Sequence, residues 1–337
     1  MRRVGLGILL AALCCTACSG GDNSAISRSS RPSTTTSTAA RATTAPSTTA
    51  PRGGLEIAIA SWQLPAPVSR ELMLSDGSSL FVLGGLDARK VSSPAVYRID
   101  PSGGRATQVA TLDPPVHDAA GVRFGDRSLV IGGGTPPARA TVQVVAPGAA
   151  TRALGQIPQP RADLVAAAVG GMLYVLGGGD EASALVAEVD ASTDGARWTA
   201  AGTLAEPVRY PAVIVVDGAI YLFGGVTTSE GTDTRSVQRY DPKTRTTEVV
   251  AQLPAPLSHA SAVLLGGRVY VLGGFVDNQV SAQVLAFDPG SRKLTTAGTL
   301  PAAVTDAAAV TIGDTAYLAG GQGTDRAPVA TVVSLHG

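Results

Sequence analysis

Residues 207–225 read PVRYPAVIVVDGAIYLFGG. A proline opens the stretch, a polar side chain stands three places on at Tyr210, and small and β-branched residues follow. Asp217 and Gly218 then supply a turn, 219–223 is apolar throughout, and Gly224-Gly225 ends it. Two strand-forming runs joined by Asp-Gly read as a hairpin, because those two residues tolerate positive φ. The second strand has no polar face, so it belongs inside a sheet covered on both sides.

The same pattern occurs six times. Its Gly pairs fall at Gly84-Gly85, Gly132-Gly133, Gly177-Gly178, Gly224-Gly225, Gly273-Gly274 and Gly320-Gly321, spaced 48, 45, 47, 49 and 47 residues apart. A period in that range belongs to propellers and arrays of like units. The register is strict: Pro67, Pro115, Pro160, Pro207, Pro256 and, in the sixth copy, Ala303 each stand seventeen residues before their Gly pair. A large apolar or aromatic residue precedes each pair by three: Phe81, Leu129, Tyr174, Tyr221, Tyr270 and Tyr317. A third strand ends in a turn such as Tyr240-Asp241-Pro242 or Phe287-Asp288-Pro289, and a polar fourth strand, 246–251 in the fourth copy, leads to the next anchor. Four hairpin-linked strands per repeat make a propeller blade.

Gly-Gly, the aromatic before it, Asp-Pro after the third strand and Trp198 in a fourth strand together resemble the kelch repeat. The resemblance covers about residues 55–337. It implies an all-β fold, a six-bladed kelch-type β-propeller occupying 54–337. One strand, 329–335, fits after the last Gly pair, so the last blade lacks its outermost strand. The run 55–62 precedes the first anchor without a partner of its own. It is therefore expected to complete the last blade and close the ring, hiding edges that would invite aggregation.

The N-terminus reads differently. Arg2 and Arg3, an apolar run over 4–13 and small residues after it form a signal segment, 1–18, too short to span a bilayer. Cys15-Thr16-Ala17-Cys18 before Ser19-Gly20-Gly21 resembles the bacterial lipoprotein processing box, which implies lipidation of Cys18. The alternative is a signal that is simply cleaved, its cysteines incidental. Residues 19–53 are Ser, Thr, Ala, Pro and Gly with almost nothing large and apolar. Such a segment cannot offset its ordering entropy, and it is expected to be a disordered tether of up to roughly 100 Å, its hydroxyls open to O-linked sugars. The expected location is the cell envelope or beyond, lipid-anchored or released.

Charge and cysteine usage exclude several functions. Residues 1–53 carry a balance of +5 in a neutral chain, leaving the folded part at −5. No basic run interleaved with aromatics appears there, which argues against nucleic acid, and a negative domain meets a membrane only through a lipid anchor. No cysteine follows Cys18, so the domain holds no disulfide and no thiol nucleophile. Related copper-oxidase propellers use a cysteine–tyrosine crosslink and seven blades, so "galactose oxidase-like" would describe fold only. No nucleophile elbow or phosphate-cradling loop is present; the Gly pairs end strands and open no helix.

The residue three places after each anchor is polar in all six copies: Arg70, Asp118, Asp163, Tyr210, His259 and Asp306. With the inner strand starting there, these six are expected to ring one mouth of the central channel, beside Ser69, Glu71, His117, Arg209, Ser258 and Thr305. Carboxylates, guanidinium and imidazole together suit a polyol, a sugar or a cation. The same residues also suit a structural ion-pair network, with Arg70 between Asp118 and Asp306. His117 and His259 stand on blades two and five, across the ring, so neither metal nor cofactor is expected. The loops after the Gly pairs, 86–94 and 226–236 above all, vary most, and recognition is usually built on variable loops of a rigid frame. The favoured reading is a monomeric, non-enzymatic module binding a protein or a glycan. The alternative is a sugar-acting enzyme with Asp118, Asp163 or His259 in acid–base roles, since some six-bladed kelch propellers of bacterial envelopes interconvert sialic acid anomers.

Overall fold

The computed structural model describes residues 54–134, 137–228 and 231–337. The signal segment 1–18, the tether 19–53 and Cys18 lie outside the described residues, as do Ser229 and Glu230 of the 226–236 loop. Among the described residues every regular element is a β-strand.

The strands form four-stranded antiparallel sheets whose members follow one another in sequence. The first holds Leu72–Ser75, Leu80–Leu83, Ala95–Asp100 and Arg105–Thr111. The second holds Ala120–Phe124, Arg127–Ile131, Arg139–Val144 and Arg152–Arg161. The third holds Val165–Val169, Met172–Leu176, Glu188–Ser192 and Thr199–Thr203. The fourth holds Ala212–Val216, Ala219–Phe223, Ser236–Asp241 and Thr246–Gln252, and the fifth Ser261–Leu265, Arg268–Leu272, Gln283–Asp288 and Lys293–Thr299. The sixth joins Ala308–Ile312, Thr315–Ala319 and Val332–His336 to a strand from the other terminus, Glu56–Ile59. Register there is antiparallel, Glu56 opposite His336 and Ile59 opposite Val333. The chain then stays on that sheet: Ala60 N–H donates to Val332 O at 2.8 Å and Leu64 N–H to Ala330 O at 2.9 Å.

Second strands are mostly buried, as their apolar runs require, and all five residues of Ala219–Phe223 are enclosed. The core is divided accordingly. Each apolar cluster lies between two neighbouring sheets, for instance Phe223 of the fourth against Phe287 of the fifth, rings edge-on at 5.3 Å. The sixth and first sheets share a cluster like the rest, with Val332 and Ala319 packed against Leu80 and Ile99. Innermost strands touch in the order first to sixth, and Ala308–Ile312 touches Leu72–Ser75.

Two chains of backbone hydrogen bonds run from sheet to sheet. The second glycine of each pair donates to a carbonyl just past the next anchor: Gly85 to Val116, Gly133 to Arg161, Gly178 to Val208, Gly225 to Leu257 and Gly274 to Val304, at 2.8–3.0 Å. Gly321, after the second strand of the sixth sheet, donates to Val68 O, before the first sheet, at 2.9 Å. This close approach is why glycine is needed. A Cβ on Gly84 would lie 2.5 Å from the Val116 carbonyl oxygen, and φ is positive at both members of each pair.

One local expectation needs correction, and two features go beyond the repeat. Trp198 stands just before its fourth strand, Thr199–Thr203, where its indole N–H donates to Gly195 O and helps close the turn. Pro160 lies within the outer strand Arg152–Arg161, since an edge strand tolerates the missing N–H. The fifth copy adds a small sheet in which Leu257–Ser258, just past the anchor, pairs with Phe275–Val276 and Gln279–Val280, just past the Gly pair.

Candidate functional site

The structure brings all six predicted residues together around one hollow. It places them two residues before the inner strands, not at the first strand residue, and in an unexpected conformation. Arg70, Asp118, Asp163, Tyr210, His259 and Asp306 all have φ between 52° and 61°. Left-handed backbone costs a side-chain-bearing residue on the order of 1–3 kcal/mol. Here it aims each N–H at the preceding sheet. Asp118 donates to Arg70 O, Asp163 to Asp118 O, Tyr210 to Asp163 O, His259 to Tyr210 O, Asp306 to His259 O and Arg70 to Asp306 O, at 2.8–3.4 Å. Six peptide groups thus close a second hydrogen-bonded ring, and the repeated strain is offset by repeated bonds.

Side chains inside this ring form a charged network around Arg70. Its Nη1 donates to Asp118 Oδ2 at 2.8 Å and to the Tyr210 hydroxyl, across the ring, at 3.3 Å, while Nε lies 3.6 Å from Asp306 Oδ1. Burial alone would lower the guanidinium pKa, yet Asp118, Tyr210 and Asp306 outweigh it and hold the charge more firmly than usual. Asp163 is pushed up to about 7 by burial first and by the Asp118 charge second; Arg209 Nη1, 3.8 Å away, opposes this. Asp306 also reaches about 7, again through burial, with Arg70 opposing. Glu71 is raised well above the carboxylate range by burial; its Oε1 accepts from Ala308 N–H at 3.2 Å.

The histidines are neutral fixtures. His259 is pulled down to about 3 by burial, then by Arg70, Arg209 and Arg326. Its ring stacks on Tyr210 with centroids 3.9 Å apart, meets Phe275 edge-on at 5.1 Å, and shares a hydrogen bond with Ser258 Oγ at 2.8 Å. His117 is lowered by burial and bonds Ser92 Oγ at 2.8 Å. Among the described residues no group of three or more His, Cys, Asp or Glu side chains could hold a metal ion.

Sequence reasoning missed the outer half of the site. Phe275 and Arg326 come from the loops after the fifth and sixth Gly pairs, and the Arg326 guanidinium lies 4.1 Å from the Phe275 ring centre. With Arg70, Arg209, Tyr210, His259 and one carboxyl group, that of Asp233, they line a cavity of about 340 Å³ on the loop face. Arg70 and Arg209 also approach the Tyr210 ring, at 5.6 and 5.9 Å. Three guanidinium groups around an aromatic stack suit an anionic or planar polar group on a partner. Only an aromatic directly after a Gly pair, at Phe275, could have hinted at this in the sequence.

Comparison with known proteins agrees with the repeat. Residues 166–335 match the family model described as the KLHDC2/KLHL20/DRC7 Kelch-repeats domain. The chain belongs to the kelch-repeat family. It is similar to Spermatocyte protein spe-26 of Caenorhabditis elegans, 32% identical over 124 residues, 35% of this chain and 22% of that protein. It is similar to Beta-scruin of Limulus polyphemus, 29% identical over 108 residues, 30% of this chain and 12% of the other. The human Kelch repeat and BTB domain-containing protein 13 is 32% identical over 126 residues, 36% of this chain and 27% of that one. The chain thus spans about a quarter or less of the length of these relatives.

Proposed function

We propose that residues 54–337 act as a closed six-bladed propeller, a non-catalytic recognition module that receives a protein partner on its loop face. Closure is supported by the two returning hydrogen-bond chains and by Glu56–Ile59 in the sixth sheet. The reading rests above all on the cavity lined by Arg70, Arg209, Tyr210, His259, Phe275 and Arg326. It offers positive charge and flat aromatic surface at a rigid mouth, which fits a carboxylate-bearing segment of a partner. Kelch-family membership supports a protein partner over a glycan. The charged network beneath it holds the mouth in shape, since every Arg70 contact is made to its own ring.

Peptide display on the full chain tests this. Selected binders should carry Asp, Glu or a free C-terminal carboxylate, and should lose at least tenfold in affinity for an Arg209→Ala, Arg326→Ala variant. Binders indifferent to those substitutions would defeat the reading.

One observation favours a second reading, the sugar-acting enzyme: Asp163 and Asp306, held at about 7, are poised for proton transfer. Magnetisation-exchange NMR between sugar anomers, lost in Asp163→Asn, would establish it; no exchange above the uncatalysed rate removes it. Export, lipidation at Cys18, an envelope location, the O-glycosylated tether and a monomeric state are further proposals, and they rest on the sequence. Mass spectrometry of the mature N-terminus, with or without a diacylglycerol-modified Cys18, decides the anchor.

A further inference from the structure

The inner side of the polar ring presents a different surface from the loop face. Directly beneath it lies a hollow of about 190 Å³ lined by Glu71, Asp118, Asp163, Asp306 and a single cationic side chain, Arg70. Burial holds Glu71 well above the carboxylate range and keeps His259 neutral, so Asp118, Asp163 and Asp306 face Arg70 here, with Arg209 Nη1 3.8 Å from Asp163. Glu71, Asp163 and Asp306 are 6%, 5% and 8% exposed, and each keeps one oxygen with no hydrogen-bond partner: Glu71 Oε2, Asp163 Oδ1 and Asp306 Oδ2. Buried carboxyl oxygens are ordinarily satisfied, so three unpartnered ones on side chains that line one hollow point to a missing partner.

This hollow continues into the central channel. Glu71, Ala119, Leu164 and Val165 line both it and a cavity of about 720 Å³ walled by all six inner strands. The channel walls are mainly aliphatic, Leu72, Leu74, Val213 and Leu264 among them, with Arg123 and Thr311 also in the wall. Inner strands are five residues long in most sheets, so the tube is about 16 Å deep. Arg70 reaching across to Tyr210 bars passage at the ring itself.

We propose that the channel binds a primary ammonium group carried on an extended alkyl chain, the nitrogen seated in the carboxylate hollow and the chain lying along the aliphatic walls. An ammonium brings three donors and one positive charge, which is what three unpartnered oxygens and the charge imbalance lack. A metal ion would need a ligand cluster, and none of suitable geometry exists among the described residues. Arg209 and Arg326 do not line this hollow, although Arg209 Nη1 lies 3.8 Å from Asp163; the loop-face test alters only those two arginines and the present one only the acids, so the two readings fail separately.

Titration calorimetry of the full chain with hexylamine at pH 8, with 1-hexanol as the uncharged match, tests it. Hexylamine should bind at least tenfold more tightly than hexanol, and an Asp163→Asn, Asp306→Asn variant with unchanged circular dichroism should lose at least tenfold. Equal binding of the two probes, or no binding of hexylamine to the wild-type chain, would overturn the proposal. So would retention of full affinity in the amide variant. Should that variant misfold, Asp306→Asn alone replaces it, with a loss in the same direction expected.

Discussion

Aligned copies make a single deviant residue conspicuous. One place after the anchor stand Val68, Val116, Val208, Leu257 and Val304, but Arg161 in the third copy; all are buried. Arg161 is 1% exposed, pairs with Asp190 and donates from Nη1 to Glu188 O at 3.0 Å. Burial is the main force on both members, raising the carboxyl and lowering the guanidinium, and each offsets it for the other. Removing one partner strands the other without solvent. Arg161→Ala should therefore cost about 3–5 kcal/mol in urea unfolding, while Arg161→Val with Asp190→Leu should recover most of it. A double variant as unstable as the single would show that shape, not charge, is what Arg161 supplies.

Acidity in the ring has a consequence of the same size class. Asp163 and Asp306 titrate near 7 when folded and near 3.8 when unfolded. Between those values the folded chain holds more protons than the unfolded one, so stability falls as pH rises. Their contribution is present in full below about pH 4 and is lost as pH passes through 7. The urea midpoint of the wild-type chain should drop over that window relative to Asp163→Asn, Asp306→Asn and run parallel to it above pH 8. A flat difference from pH 4 to 8 would mean that other groups set the acidity.

Strands and turns show how far the primary structure could be read. The register from anchor to Gly pair located the six hairpins and the six ring positions, because every copy repeats the same apolar runs and Gly pairs at fixed spacing. Left-handed φ at Arg70 or Tyr210 left no such record, since no glycine marks it and the bonds that maintain it come from the neighbouring sheet. The Arg161–Asp190 pair and the burial of Glu71 escaped for the same reason, although each stands out as a lone charge in an apolar column. Phe275 and Arg326 meet only because loops from the fifth and sixth copies converge. At the element scale the Gly pairs are the sharpest test. Gly178 has φ of 94°, and a Cβ there would lie 2.7 Å from Ala162 O and 2.9 Å from Leu164 Cβ. Gly178→Ala should lose about 1–3 kcal/mol from backbone strain alone, and more from the clash, whereas Gly218→Ala, at an open turn, should lose only the strain. Thermal unfolding of the pair separates the two costs.

For the whole molecule, the sixth sheet decides whether the units behave as one. The other four-stranded sheets each draw their strands from one stretch of chain, so they form locally; the sixth must wait for Glu56–Ile59 to meet Val332–His336 from the far end of the chain. That pairing adds few buried side chains of its own, for Glu56, Ala58 and Ile59 are exposed. What it covers is the edge of Val332–His336, with Val332 and Leu335 fully buried behind it. Chain ends held this way oppose the opening of the sixth and first sheets, whose shared cluster includes Val332 and Leu80. Deleting residues 1–53 should leave the melting temperature unchanged, and deleting 1–60 should lower it by several degrees, as loss of roughly 1–2 kcal/mol would in a domain this size. The longer deletion also frees a strand edge, so it should self-associate in a concentration-dependent way in sedimentation velocity. If both truncations melt together and sediment as monomers, strand closure contributes nothing, and the returning hydrogen-bond chains through Gly321 and Arg70 must hold the sixth sheet to the first unaided.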